Sequence, residues 1–166
     1  MSNHMRKNLL AAIGQAVQAF QEATEEVDSA AATHLGLNRT DLRCLSVLAR
    51  TNMLGASELA EAVGLSRAAT TTALDRLERA GHARRVDNPD DRRGVRVELT
   101  PMAQRHVAEI YGPLAAGGEA LLSAFSLGDL AAVRRYLEEG RELQRIHAKR
   151  IKQLRAPIRR KQKRAK

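Results

Sequence analysis

Tryptophan is absent from this chain, and Phe20, Tyr111, Phe125 and Tyr136 are its only phenylalanines and tyrosines. A core must therefore be built from Leu, Val, Ile and Ala, which suits closely packed helices, and alanine has the best intrinsic helix propensity. Cysteine occurs once, as Cys44. That excludes an intramolecular disulfide framework and a multi-cysteine zinc site, and makes the cytoplasm the default location. No stretch of about 20 apolar residues is present to span a membrane, and no signal-type apolar run follows Met1–Lys7. The five histidines lie far apart without a His-x-x-x-His pair, so no metal site is expected. A nucleophile elbow, a phosphate loop and paired catalytic carboxylates are also missing, which argues against an enzyme and leaves no cofactor to expect.

The 166 residues are 43% apolar and 28% charged, enough for one soluble domain with helical extensions. The net charge of +9 is unevenly placed. His147–Lys166 carries ten Lys and Arg and no acid, leaving −1 for residues 1–146. A near-neutral body with a cationic tail points to a polyanionic partner, nucleic acid first among them. The bland reading of the tail is a solvated end that aids solubility.

Along the chain, Leu9, Ile13, Val17, Phe20, Thr24 and Val27 recur at spacings of three and four, predicting one long helix over Met5–Leu35. Thr40 is expected to cap a second helix, Asp41–Arg50, with Leu42, Leu45, Val47 and Leu48 facing inward. A short helix over Glu58–Val63 follows, then a Gly64-Leu65 turn. Ser66 fits the cap of a fourth helix, which Gly81 should stop near Ala80. Two strands are predicted at Ala83–Val86 and Val95–Leu99, joined by the polar tip Asp87-Asn88-Pro89-Asp90-Asp91-Arg92-Arg93-Gly94. Thr100 and Pro101 then open a helix running to about Ala124, loosened or kinked at Gly112-Pro113 and Gly117-Gly118. A last helix runs from Ser126 or Leu127 to about Leu154, with Leu130, Val133, Leu137, Leu143 and Ile146 on its buried side, and Pro157 ends it.

Helix, short helix, glycine turn, capped helix and a hairpin with a charged tip is the order a winged helix-turn-helix requires. The expected fold is mainly α with a small two- to three-stranded β-wing. On a helix over residues 66–80, Thr70, Ala73, Leu74 and Leu77 form the packed stripe. Ala68, Thr72, Asp75 and Arg79 lie opposite, flanked by Arg67, Thr71 and Arg76. Ser66, Arg67, Ala68, Thr71, Thr72 and Arg76 are the candidate DNA contacts of this helix: small residues, hydroxyls and arginines that admit close approach to bases and phosphates. With so many small residues, groove shape should contribute much of the readout. Asp91, Arg92 and Arg93 are the candidate wing contacts, an arginine at such a tip being able to enter a narrow minor groove.

The stretch Gly-His-Ala-Arg-Arg-Val-Asp-Asn-Pro-Asp-Asp-Arg-Arg-Gly-Val-Arg-Val-Glu-Leu over residues 81–99 resembles the wing of the MarR family of transcriptional regulators. Ser57-Glu58-Leu59-Ala60 and Leu74-Asp75-Arg76-Leu77-Glu78 resemble that family's helix-turn-helix, and the likeness covers roughly residues 5–150. It implies a homodimer interlocked through its first and last helices, bound to a pseudo-palindromic double-stranded DNA operator, usually as a repressor. The implied division is an N-terminal dimerisation helix over residues 1–35, a DNA-binding lobe over 36–100, C-terminal dimerisation helices over 101–154 and a basic tail over 155–166. It further implies that Asp91 pairs with Arg93 and that Arg76 touches phosphate. Ala69 and Thr70 depart from the family pattern. A threonine at the packed position would need its hydroxyl bonded back to the helix. The tail beyond Leu154 also exceeds the usual length.

Many members of that family release DNA on binding small anionic aromatics. His34, Arg39, Arg43 and His106 are candidates to line such an effector pocket, although each also reads as an ordinary surface or satisfied residue. Two rival readings stand beside an effector-released repressor: an architectural DNA-binding protein gripping through its tails, and a redox switch on Cys44. The position of Cys44 among Leu42, Leu45 and Val47 favours an inert, buried thiol.

Overall fold

The structure, a computed structural model, describes residues 2–88 and 95–154. Its elements run α1 (Ser2–Leu35), α2 (Arg39–Thr51), β1 (Met53–Gly55), α3 (Ala56–Val63), α4 (Arg67–Arg79), β2 (Ala83–Asp87), β3 (Val95–Leu99), α5 (Pro101–Leu122) and α6 (Leu127–Gln153). Two compact units divide the chain, Met1–Leu114 and Ala115–Lys166. Pro157 and the basic tail over 155–166 lie outside the described residues, as do Asp91, Arg92 and Arg93.

In the first unit, caps account for most of the boundaries. Ser66 Oγ accepts the Ala69 N–H at 3.2 Å and starts α4. At the other end Gly81 takes φ +74°, and the His82 N–H donates to the Leu77 carbonyl at 2.8 Å, closing the helix in a left-handed turn. Thr100 Oγ1 accepts the Ala103 N–H and donates to the Gly81 carbonyl at 2.7 Å, so one residue opens α5 and ties it to the end of α4.

Beyond shifts of a residue or a few at the ends of α1, α2 and β2, two helix starts and one strand differ from the sequence expectation. The cap of α2 is Asn38, not Thr40: Asn38 has extended backbone and its Oδ1 accepts the Asp41 N–H at 2.9 Å, whereas Thr40 is already helical. Both are good capping residues, and the chain's exit from Gly36 (φ +65°) brings the earlier one into place. The third helix begins two residues before Glu58, which sits one turn in and accepts the Gly55 N–H at 2.7 Å. Last, residues 53–55 form a strand. Their pairing of Met53, Leu54 and Gly55 with Glu98, Val97 and Arg96 makes β3 the centre of a three-stranded antiparallel sheet ordered β1-β3-β2.

The core of the lobe joins α2, α3, α4 and the sheet. Leu45, Leu48, Leu59, Leu74, Leu77, Val97, Thr70 and Cys44 have fully buried side chains. Each such leucine stabilises the lobe by about 2 kcal/mol relative to an exposed one. A smaller cluster of Ala31, Ala32 and Leu42 packs with Leu35, Ile110 and Tyr111, joining α1, α2 and α5.

Outside these clusters the long helices are bare. On α1, Met5, Leu9, Leu10 and Phe20 are exposed. No residue of α6 is buried; Val133, Leu137, Leu143 and Ile146, expected on its buried side, all lie open. The apolar stripe is real, but among the described residues it lies exposed. Helix α5 continues through Gly112-Pro113 and Gly117-Gly118 to Leu122.

Candidate nucleic-acid interface

The exposed surface of α4 follows from the burial of its other face. Thr70, Ala73, Leu74 and Leu77 are buried at 1% exposure or less. Thr70 is accommodated because its hydroxyl donates to the Ser66 carbonyl at 3.0 Å, sparing a polar group from burial without a partner. Ser66, Arg67, Ala68, Thr71, Thr72, Asp75 and Arg79 are exposed. The hydroxyls of Thr71 and Thr72 donate to the carbonyls of Arg67 and Ala68. Their oxygens stay free to accept, and their methyl groups are available for apolar contact with a thymine methyl. The face is shallow, hydroxyl-lined and cationic at its start.

Arg76 is held differently from its neighbours. Its Nε and Nη2 donate to the two carboxylate oxygens of Asp41 at 2.8 and 2.6 Å. Asp41 is only 2% exposed, so the pair fastens α4 to α2 in a two-pronged, charge-assisted bond. The hydrogen bond to Asp41 pushes the Arg76 guanidinium pKa still higher, keeping it charged. The side chain named as a phosphate contact thus has two of its five N–H donors committed inside the lobe. Sequence reasoning missed Asp41 as its partner, because the two lie in different helices and no local pattern joins them.

Cys44 is one helical turn beyond Asp41 and wholly buried. Burial, then the Asp41 charge, pushes its thiol pKa up, which disfavours the reactive thiolate.

The wing base is also charge-paired. Arg84 and Glu98, opposite each other on β2 and β3, meet at 2.6 Å. Arg85 turns to α4: its Nη2 donates to Asp75 at 2.8 Å, its Nη1 to Glu78, and its main-chain N–H to the other Glu78 oxygen at 3.0 Å. On β3, Arg96 reaches Asn88 at 3.0 Å and Glu58 at 3.4 Å. Asp75 and Glu78, three residues apart on one helix face, followed by Arg84-Arg85 just past the Gly81 stop, were the available sequence signal for the α4–β2 tie.

The four effector candidates are placed apart in their contacts. Arg43 donates to the Val63 carbonyl at 2.8 Å and so finishes α3. Arg39 forms an exposed pair with Glu25 at 3.0 Å. His106 packs edge-on to the buried His82, ring centroids 6.1 Å apart. His34 lines an open groove with Glu26, Ser29, Ala30 and Thr33 of α1, which neither Arg39, Arg43 nor His106 enters. Among the described residues no group of three or more His, Cys, Asp or Glu is placed to hold a metal ion, and no helix is long and apolar enough to cross a membrane.

Comparison with known proteins bears on this geometry. The MarR family profile matches residues 37–95, the span from α2 to the first residue of β3. The HTH-type transcriptional regulator YcgE of Bacillus subtilis (strain 168) is 30% identical over 141 residues, 83% of this chain and 92% of that one. Among solved structures, the MarR family transcription regulator SP03579 aligns with a TM-score of 0.60 at 24% identity, covering 92% of this chain and 98% of its own. A mutant MarR from E. coli complexed with operator DNA gives 0.53 at 20% identity, covering 80% and 95%. NadR in complex with 4-hydroxyphenylacetate gives 0.56 at 22%, covering 73% and 88%. The structural likenesses speak for the fold, and the sequence likeness to YcgE extends through nearly the whole of that relative. A winged lobe with an exposed, capped α4, matched by the family profile and by a relative along most of the chain, places this protein in the MarR family of transcriptional regulators.

Proposed function

We infer that the protein acts as a homodimer on a pseudo-palindromic operator, inserting Ser66, Arg67, Ala68, Thr71 and Thr72 of each α4 into successive major grooves. The wing, with Arg92 and Arg93 beyond the described residues, grips the adjoining minor groove. The observation that carries this reading is the division of α4: one face fully buried, and the opposite one exposed from its capped N-terminus onward. A second copy would cover the bare apolar residues of α1 and α6, and two lobes would then meet half-sites about one helical turn apart. Repression relieved by a small anionic aromatic is the mode this reading favours, supported by the carboxylate-bearing phenol in the NadR complex. Binding would shift the population of lobe spacings and so change operator affinity.

The test is a fluorescence titration against a duplex selected by the protein from random DNA. Arg67→Ala and Arg93→Ala should each weaken binding about tenfold, and Glu119→Gln, on the exposed surface of α5, should leave it unchanged. Unchanged affinity in both arginine variants would remove the α4-and-wing assignment. The composition of residues 155–166, seven cations and no acid, favours a second reading in which the tail grips DNA without regard to sequence. Deleting 155–166 should then flatten the dependence of log affinity on log salt by about 0.9 per lost phosphate contact. An unchanged slope would leave the grip to the lobe.

A further inference from the structure

The exposed face of α4 carries a feature that works against its proposed use. Arg67, Thr71 and Asp75 follow one another at intervals of four, so they share one stripe of the helix. A carboxylate therefore lies in line with residues proposed to enter a groove flanked by phosphates, where duplex DNA carries one negative charge per about 1.7 Å of axis. Glu78, three residues on, adds a second. Left bare, the two would repel the duplex.

Arg85 of β2 meets both. Its two terminal nitrogens are divided between Asp75 and Glu78, and its main-chain N–H donates to the remaining Glu78 oxygen. Arg79 adds a guanidinium at the same turn, its Nε donating to the Asp75 carbonyl at 3.1 Å. Of the two, Arg85 alone is paired with the carboxylates. We propose that Arg85 is a positioning residue that masks the Asp75 and Glu78 carboxylates from approaching DNA and fixes β2 to α4. Because its terminal nitrogens are already shared between carboxylates, Arg85 promotes binding by holding acids away from phosphate rather than by gripping phosphate itself. The proposal rests on the reading that α4 faces DNA, and it adds a residue outside both the helix and the wing tip.

The experiment measures binding to a random-sequence duplex at low ionic strength, where charge dominates and no operator is needed. Arg85→Ala should weaken binding about tenfold or more, because it sets like charges against each other across the interface. Adding Asp75→Asn and Glu78→Gln to that variant should restore affinity to within about threefold of the parent, or beyond it. The Asp75→Asn/Glu78→Gln variant with Arg85 intact should bind at least as tightly as the parent. It serves as the check if loss of Arg85 alone unsettles the fold, which melting curves of all variants record. Unchanged binding in Arg85→Ala overturns the proposal. So does a triple variant as weak as Arg85→Ala, which would assign the loss to a phosphate contact made by Arg85, or weaker binding by the double variant. Selection from random DNA by the parent separately tests the operator reading: failure to enrich any sequence sinks that reading and leaves the charge comparison legible.

Discussion

The winged lobe and the long helices are written in the same aliphatic residues, yet they treat them in opposite ways. In the lobe, Leu45, Leu48, Leu59, Leu74 and Leu77 are sealed by one another at 1% exposure or less. On α6, Leu143 and Ile146 stand 68% and 57% exposed, and nothing on that helix is buried. The lobe satisfies its own apolar surface. Among the described residues the long helices present theirs, and an exposed apolar stripe of this length is the kind of surface through which proteins associate. Stability of the reading head and assembly of the protein should therefore be separable by mutation.

The largest effect should come from the exposed stripe. Leu143→Asp combined with Ile146→Asp, one turn apart on α6, should leave the lobe folded yet convert the proposed dimer to monomer in sedimentation. Losing the second lobe should weaken binding to the selected duplex at least about a hundredfold. A dimer that survives this change would break the contrast between the two regions. Next comes the sealed core. Leu74→Ala should cost about 3 kcal/mol in denaturant unfolding and weaken DNA binding by loosening the seat of α4, and an unaltered midpoint would show that α4 is not anchored as described.

A smaller change tests how α4 is seated. Asp41→Asn removes the charge facing Arg76 while keeping the shape. The melting temperature should fall by less than in Leu74→Ala, and affinity for the duplex should drop because α4 loses its tie to α2. Equal melting curves would make the pair incidental. The smallest effect belongs to the joint between α1 and α5, where Tyr111 donates to Asp28 at 3.2 Å. Burial, with the Asp28 charge, pushes the Tyr111 pKa up to about 12, against about 10 in an unfolded chain. Above pH 10 the unfolded state gives up this proton while the folded state keeps it, so stability falls as pH rises toward 12. Tyr111→Phe should flatten that decline in unfolding curves measured across the window. An identical decline would mean that Tyr111 does not set it.

Features that depend on residues near one another in the chain were legible in advance. The Ser66 cap, the Gly81 stop and the Thr100-Pro101 helix start are all local, and each was found where expected; of the alternating Val95, Val97 and Leu99, the last two are buried and Val95, at the start of β3, is exposed. Thr70 was legible as well, since a hydroxyl on a packed stripe has few places to go but its own helix. The α2 start was missed by two residues because Asn38 and Thr40 are equally good caps in isolation; the turn at Gly36 decided between them. The candidate face of α4 could be drawn from its period, but the commitment of Arg76 to Asp41 could not.

By itself, then, the sequence determined the order of the elements, the faces of α4 and the class of protein, because helical period, caps and turn glycines act over a few residues. Only the tertiary structure decided that residues 53–55 become a strand, that Arg76 turns inward to α2, and that Arg85 stands over Asp75 and Glu78. Each of those depends on groups distant in the chain meeting at hydrogen-bonding distance. Such meetings are set by how the buried leucines bring α2, α4 and the sheet together, and no stretch of local sequence encodes that distance.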